Sequence, residues 1–287
     1  MESIPSQILN TIIMRPCFVI FFLTYLLGCS MNMGIKRTLL FCITGYGLAW
    51  LSEFSSIHSG IPYGLYYYIE ETKGKELWAL GVPFMDSMSF VFLAWASYSL
   101  ALIATSPVVR SGVTIYLFET KKIRNSMRVR LLGAVFFVCL DVIIDPVALR
   151  GNRWFLGQIY GYPQPGVYFG VPVSNFVGWF VVGFVLISAL QTIDRLMEMK
   201  KLKDWYGRRH PWRYLVGPSL YFGVLFFNLS ITFFIGEYAL AWVGASIVFL
   251  QASFLYFLLK AKLSRGLSES ALKAHLVDFP GVACPPG

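Results

Sequence analysis

An all-α, polytopic membrane helix bundle with about seven transmembrane helices is predicted by three features of the chain. These are a low charged fraction, apolar runs of spanning length, and a lopsided placement of Lys and Arg. Only 14% of residues are charged, against 56% hydrophobic and 17% aromatic. Soluble domains carry about a quarter charged residues, so this chain cannot dress a water-facing surface. The formal charge of +9 then bears on orientation in a bilayer, and nucleic acid is not expected as a partner.

A helix needs about 20 apolar residues to cross a bilayer. Runs of that length fall at 14–34, 38–57, 83–105, 128–148, 174–193, 214–235 and 238–260. The first contains "LLGC" (Leu26–Cys29), similar to a lipoprotein cleavage box, but only Arg15 precedes it as a positive flank, so it is read as an uncleaved span. The second carries Glu53 and ends near His58. The third and fifth open on a repeated hexapeptide, "GVPFMD" (Gly81–Asp86) and "GVPVSN" (Gly170–Asn175), each placing an Asp or Asn about one turn inside; proline suits a first helical position. The fourth contains Asp141 and Asp145 with Pro146 behind them. The last two are separated by a short hinge holding Glu237. Residues 1–265 read as one transmembrane domain and 266–287 as a C-terminal tail. The five cysteines (Cys17, Cys29, Cys42, Cys139, Cys284) lack C-x-x-C spacing and read as packing residues.

Seven spans put 19 of the 24 Lys and Arg residues on one side of the membrane and 5 on the other. Dropping the acid-bearing fourth span would scatter basic loops over both sides. The positive-inside rule makes the basic side cytoplasmic. The expected placement is the cell (inner) membrane, with the N-terminus outside and the C-terminus in the cytoplasm. The basic loops read as solvated juxtamembrane charge. The two opposite loops, around 58–82 and 149–173, are rich in Gly, Pro, Tyr and Trp, beyond what an aromatic belt requires of any single residue.

At about 1.5 Å per residue, Glu53 lies about 24 Å from the basic side, Asp141 about 16 Å and Asp145 about 22 Å. Asp86 and Asn175 enter from the opposite side, so Glu53, Asp86, Asp145 and Asn175 converge in one layer, with Asp141 beneath it. Asp141 and Asp145, four apart, share a helix face. The bland alternative pairs each acid with Arg150, Arg153 or a backbone group. Acids are costly in lipid, so a functional role is the better reading of the group. Three scattered histidines cannot build a di-iron cluster, and no nucleotide-binding loop is present, so neither redox cofactor nor ATP is expected; a metal held by Glu53, Asp86, Asp141 and Asp145 is an alternative that no motif in the sequence supports.

Three stretches together, "EFSSIHSGIPYGLYYY" (Glu53–Tyr68), "DVIIDPVALRGNRW" (Asp141–Trp154) and "GVYFGVPVSNFVGWF" (Gly166–Phe180), resemble the integral-membrane carotenoid biosynthesis family over roughly residues 40–260. That family includes carotenoid 1,2-hydratases such as bisanhydrobacterioruberin hydratase. The resemblance implies cofactor-free addition of water to the terminal C=C of an acyclic carotenoid end group, giving a tertiary alcohol. The reactants would be water and a lipophilic carotenoid dissolved in the bilayer, with other carotenoid biosynthesis enzymes as partners. Where the hydratase branch opens its third span with apolar residues and a tryptophan, this chain has "PFMDSMSF" (Pro83–Phe90). That departure bears on which carotenoid is used and on the end-group reaction.

Alkene hydration needs a proton donor and an activated water, a division of labour that two carboxyl groups in different surroundings can meet. Glu53, Asp145 and Asp141 are the catalytic candidates. His58, Tyr63, Tyr66, Asp86, Trp154, Tyr168 and Asn175 are the substrate-binding candidates, with the aromatic faces able to stabilise a cation. Two other classes compete. D-x-x-x-D (Asp141, Asp145) is similar to one acidic motif of Mg-dependent membrane prenyltransferases acting on isoprenoids, although its Asn/Asp-rich partner motif is missing. A transporter with an acidic intramembrane site is the third.

The topology is open to a direct check. A reporter fused after Gly287 should be cytoplasmic and one inserted at 70–76 extracytoplasmic; both on one side would refute the seven-span arrangement.

Overall fold

The computed structural model describes residues 2–112, 114–155, 157–201 and 212–280. After a short helix α1 (Ile4–Met14), the spanning-length helices are α2 (Pro16–Met33), α3 (Ile35–Ser59), α4 (Phe84–Thr105), then α6 (Met127–Ala148), α7 (Val173–Met199), α8 (Arg213–Phe234) and α9 (Tyr238–Arg265), with a single-turn α5 (Lys121–Arg124) before α6. All seven expected spans are therefore helices. Six are long and apolar enough to cross a membrane by length and composition. The exception, α3, is 25 residues long but carries Lys36, Arg37, Glu53 and His58.

The axis of the bundle is α4, whose apolar window is 94% buried, whereas that of α9 is 17% buried. Helices α2, α3, α6, α7 and α8 pack around α4, and α9 lies outside against α8. Small residues let helices close on one another. A Cβ at Gly28 of α2 would come within 2.4 Å of Trp95 in α4, so the large indole is accommodated by the missing side chain. An apolar surface left on the rim, including Phe226, Phe249 and Phe257, suits contact with lipid.

At the basic end, charge is paired. Arg37 meets Asp194 at 2.7 Å and Arg124 meets Glu119 at 2.7 Å, all four nearly fully buried. Burial works against the charge of Glu119, but the Arg124 guanidinium outweighs it and holds that carboxyl below its usual range. A hairpin of β4 (Val108–Ser111) and β5 (Thr114–Leu117) leads into this region. The tail contributes α10 (Glu269–Asp278), which docks here. His275 Nδ1 lies 2.6 Å from the Glu119 carbonyl oxygen, and the Lys121 N–H donates to Asp278 Oδ2 at 2.8 Å. His210 and Cys284 lie outside the described residues.

The opposite end is built from the two aromatic loops, and they are joined. Strands β1 (Tyr67–Tyr68) and β6 (Tyr160–Gly161) pair antiparallel, with Tyr67 opposite Gly161 and Tyr68 opposite Tyr160. The repeated hexapeptide is a repeated structure. Leu80 and Gly81 (φ 49° and 88°) turn the chain between β2 (Trp78–Ala79) and β3 (Val82–Pro83), and Phe169 and Gly170 (φ 49° and 96°) do so between Tyr168 and Val171. Two consecutive left-handed residues are what a two-residue hairpin turn requires. Each turn is followed by a fully buried Val and a Pro at the N-cap, then by α4 or α7. Asp86 and Asn175 consequently occupy the same position, third in their helices.

Gly166 closes the second turn so tightly that a Cβ there would lie 2.1 Å from the Val171 carbonyl carbon and oxygen. Backbone cannot yield as a side-chain tip can, so Gly166→Ala should destabilise the protein by about 1–3 kcal/mol. A thermal melt in detergent unchanged from the original protein would contradict this packing.

Candidate functional site

Beneath the paired loops lies a cavity with about 840 Å³ of empty space, part of it open to the outside. Helices α2, α3, α4, α6, α7 and α8 and both loops line it. Glu53, Asp86, Asp145 and Asn175, together with Tyr63, Tyr66 and Trp154, reach its wall, so most of the residues singled out from the sequence meet there.

Two carboxyl centres face this space. In the first, Glu53 is 2% exposed; the Tyr68 hydroxyl donates to its Oε1 at 2.9 Å, and the Ser87 hydroxyl donates to Oε2. Asp86, next to Ser87 in the first turn of α4, stands where the helix dipole favours an acid. In the second, Asp145 accepts from the hydroxyls of Tyr160 and Tyr162, the latter at 2.7 Å, and from Asn175 Nδ2 at 2.9 Å. Asn175 Nδ2 also donates to Asp141 Oδ2 at 2.7 Å. One amide thus holds two carboxyl groups a helical turn apart. Asp141 is fully buried behind Asp145, away from the cavity wall, with its Oδ1 unpartnered.

Tyr66 stands between the two centres. Its hydroxyl shares a hydrogen bond with that of Tyr68 at 3.3 Å, and its ring lies edge-on to Tyr160 and Tyr162 at 6.1 and 6.4 Å. Tyr63 shares a hydrogen bond with Ser52 at 2.9 Å and packs against Trp179. The β1–β6 pairing is what brings tyrosines from residues 66–68 and 160–162 to one place.

Among the described residues, no ion pair involves Glu53, Asp86, Asp141 or Asp145. Arg150 and Arg153, the basic partners open to them from the sequence, both engage Glu237, with Arg150 Nε at 3.3 Å from Glu237 Oε2. The acids of the site are partnered by hydroxyls and an amide instead. Among the described residues, no group of three or more His, Cys, Asp or Glu side chains is arranged to hold a metal ion.

Two expected binding residues fall elsewhere. His58 is exposed at the end of α3, with Nδ1 2.7 Å from the Phe54 carbonyl oxygen and its ring against Phe54. It sits in the last turn of α3, just before the Gly60 C-cap, with its side chain on the helix rim. Tyr168, beside the Phe169–Gly170 turn, packs against Phe169 and Phe176 outside the cavity. Sequence reasoning missed Tyr68, Ser87, Tyr160 and Tyr162 as carboxyl partners. A signal was present for the last two: residues two apart in extended chain point to the same side, and "YGY" spans β6. Ser87 followed Asp86 without any pattern to mark it.

A family model described as "Carotenoid biosynthesis protein" matches residues 8–251. No curated protein and no solved structure matches the chain.

Burial, followed by the nearby Asp145 carboxyl, raises the hydroxyl pKa of Tyr160 and Tyr162 above that of free tyrosine. A raised folded value means these phenols contribute stability below about pH 10, the unfolded value. That contribution is lost as pH rises toward the folded one. In spectrophotometric titration of the folded protein, Tyr160→Phe and Tyr162→Phe should leave the absorbance step near pH 10 unchanged, while in denaturant each removes one tyrosine's share. A smaller step in the folded variants would show that these hydroxyls ionise freely.

Proposed function

This chain belongs to the carotenoid biosynthesis protein family, and we propose that it adds water across the terminal C=C of an acyclic carotenoid end group. The observation that carries this reading is the pair of carboxyl centres, Glu53 with Asp86 and Asp145 with Asp141, facing one aromatic-lined cavity with none of these acids in an ion pair among the described residues.

Hydrating a trisubstituted alkene requires a proton delivered to the less substituted carbon, leaving a tertiary cation on its neighbour. Water then bonds to that carbon and gives up a proton to a carboxylate, so the net change is the addition of H₂O. Glu53 is the assigned proton donor, reaching the cavity with its carboxyl fixed by Tyr68 and Ser87. Asp145 is assigned to water: three donors hold its carboxyl in place at the end of α6 nearest the loops. Asp141 acts through Asn175, whose amide ties it to Asp145. The faces of Tyr63, Tyr66 and Trp154 supply the electron-rich surface that a carbocation prefers over an aliphatic wall. A site close beneath the extracytoplasmic loops lets a bilayer-dissolved polyene and water meet. The proposed setting is the inner membrane with the C-terminus in the cytoplasm, and neither metal nor redox cofactor takes part.

The test is pigment extraction from a lycopene-producing host expressing this chain, read by mass spectrometry for the gain of water, with label from ¹⁸O-water in the product. Removing a general acid or base typically lowers rate by about 10²–10⁴. Glu53→Gln and Asp145→Asn should each reduce hydroxylated carotenoid per membrane-inserted protein by that order, Asp141→Asn less, and Glu237→Gln hardly at all. Near-normal yield from both Glu53→Gln and Asp145→Asn would make the two acids structural and the mechanism wrong.

A further inference from the structure

The cavity carries a second polar feature that the carboxyl centres do not use. The wall contributed by α2, α8 and the segment before β6 is aromatic. Phe21 and Phe155 each lie edge-on to Phe227, at 5.9 and 4.9 Å. Two polar groups interrupt this wall, each beside one of those rings in the chain. Asn228, 4% exposed, follows Phe227 in α8; its Nδ2 donates to the Val224 carbonyl at 3.0 Å, and its Oδ1 is buried without a partner. Trp154, 5% exposed, precedes Phe155, and its Nε1 is likewise buried without a partner. Both residues line the cavity, and their chain neighbours Phe155 and Phe227 are in contact.

Native interiors rarely leave such atoms unsatisfied. Thr232, buried one turn further along α8, follows that rule and donates to the Asn228 carbonyl at 2.7 Å. Leu at 228 and Phe at 154 would fill comparable space with nothing to satisfy. The two orphaned atoms are complementary in kind, since the amide oxygen only accepts and the indole N–H only donates. A carbonyl or ether oxygen would serve Trp154 and leave Asn228 unpaired. A hydroxyl both donates and accepts from one oxygen.

We propose that Asn228 Oδ1 and Trp154 Nε1 form a subsite for a hydroxyl group carried on an otherwise apolar, chain-like ligand. This rests on the reading that the cavity takes an acyclic polyene, and it deepens it: the favoured ligand is a polyene already bearing an alcohol, bound with that hydroxyl against α8. The reaction that supplies such a ligand is itself a hydration or hydroxylation of the same carbon skeleton.

The experiment reads binding, so it does not depend on turnover. The full chain, Asn228→Leu and Trp154→Phe are each expressed in a host that accumulates an acyclic hydrocarbon carotenoid together with its mono-tertiary alcohol. The proteins are purified in detergent, and the alcohol-to-hydrocarbon ratio of co-purified pigment is compared with that of the source membrane. The unaltered chain should enrich the alcohol. Each substitution should lower that enrichment by roughly three- to tenfold, the loss of one neutral hydrogen bond. Pigment bound without enrichment, or with enrichment equal in all three proteins, overturns the subsite and leaves the polyene reading standing; the orphaned atoms would then serve a bound water only. No pigment retained by the unaltered chain overturns both.

Discussion

Four carboxyl groups in the interior of an apolar bundle, none of them in an ion pair among the described residues, are the constraint on which the rest of this structure turns. A buried carboxyl without hydrogen-bond partners destabilises a fold by several kcal/mol. Here the partners are neutral, and most come from outside the helices that carry the acids. Tyr68, Tyr160 and Tyr162 arrive from loops, and Asn175 from the first turn of α7. Those loops therefore cannot be slack. Their antiparallel pairing at β1–β6, the two left-handed turns before α4 and α7, and the close approach of Gly166 to Val171 all fix the donors where the carboxyl groups need them.

The disposition of arginines serves the same end. Arg37, Arg124 and Arg213 stay at the basic end, the first two in buried pairs with Asp194 and Glu119. Arg150 and Arg153 sit directly after α6, close in sequence to Asp145, yet both are engaged by Glu237 at the start of α9. Glu237 thus keeps two guanidinium groups occupied at the rim. A salt bridge to Asp145 or Glu53 would bind up the carboxyl groups that the proposed acid–base chemistry requires. Hydroxyl and amide donors hold a carboxyl in position while leaving it able to exchange a proton.

The two centres are built to one plan but are chemically unequal. Each has an acid near the end of one helix, a tyrosine fifteen residues later bonded to it, a two-residue turn, and a polar third residue in the next helix. The difference lies in that third residue and in where the second acid stands. Asn175 offers an amide that joins Asp145 to Asp141, whereas its counterpart Asp86 is itself an acid, and Ala49 occupies the place one turn before Glu53. One plan with unequal contents gives one cavity two distinct carboxyl environments, which is what the proposed division between a proton donor and a water-activating base demands.

Much of this was legible in the sequence, because hydropathy and charge act locally along the chain. A run of twenty apolar residues must cross or be buried wherever it sits, so all seven helices fell where the runs placed them, and rise per residue was enough to bring Glu53, Asp86, Asp145 and Asn175 to one depth. The helix period placed Asp141 and Asp145 on one face. What depth and period leave undetermined is rotation about the helix axis and the path of the loops. Those decided that Asp141 stands behind Asp145 rather than on the cavity wall, and that His58 and Tyr168 turn away from it. They also decided that Arg150 and Arg153 go to Glu237. The tyrosine donors depended on the pairing of two segments about ninety residues apart, and the Asn228–Trp154 pair on a contact between α8 and a loop. Such contacts are set by the packing of the whole bundle, which no local property of either segment encodes.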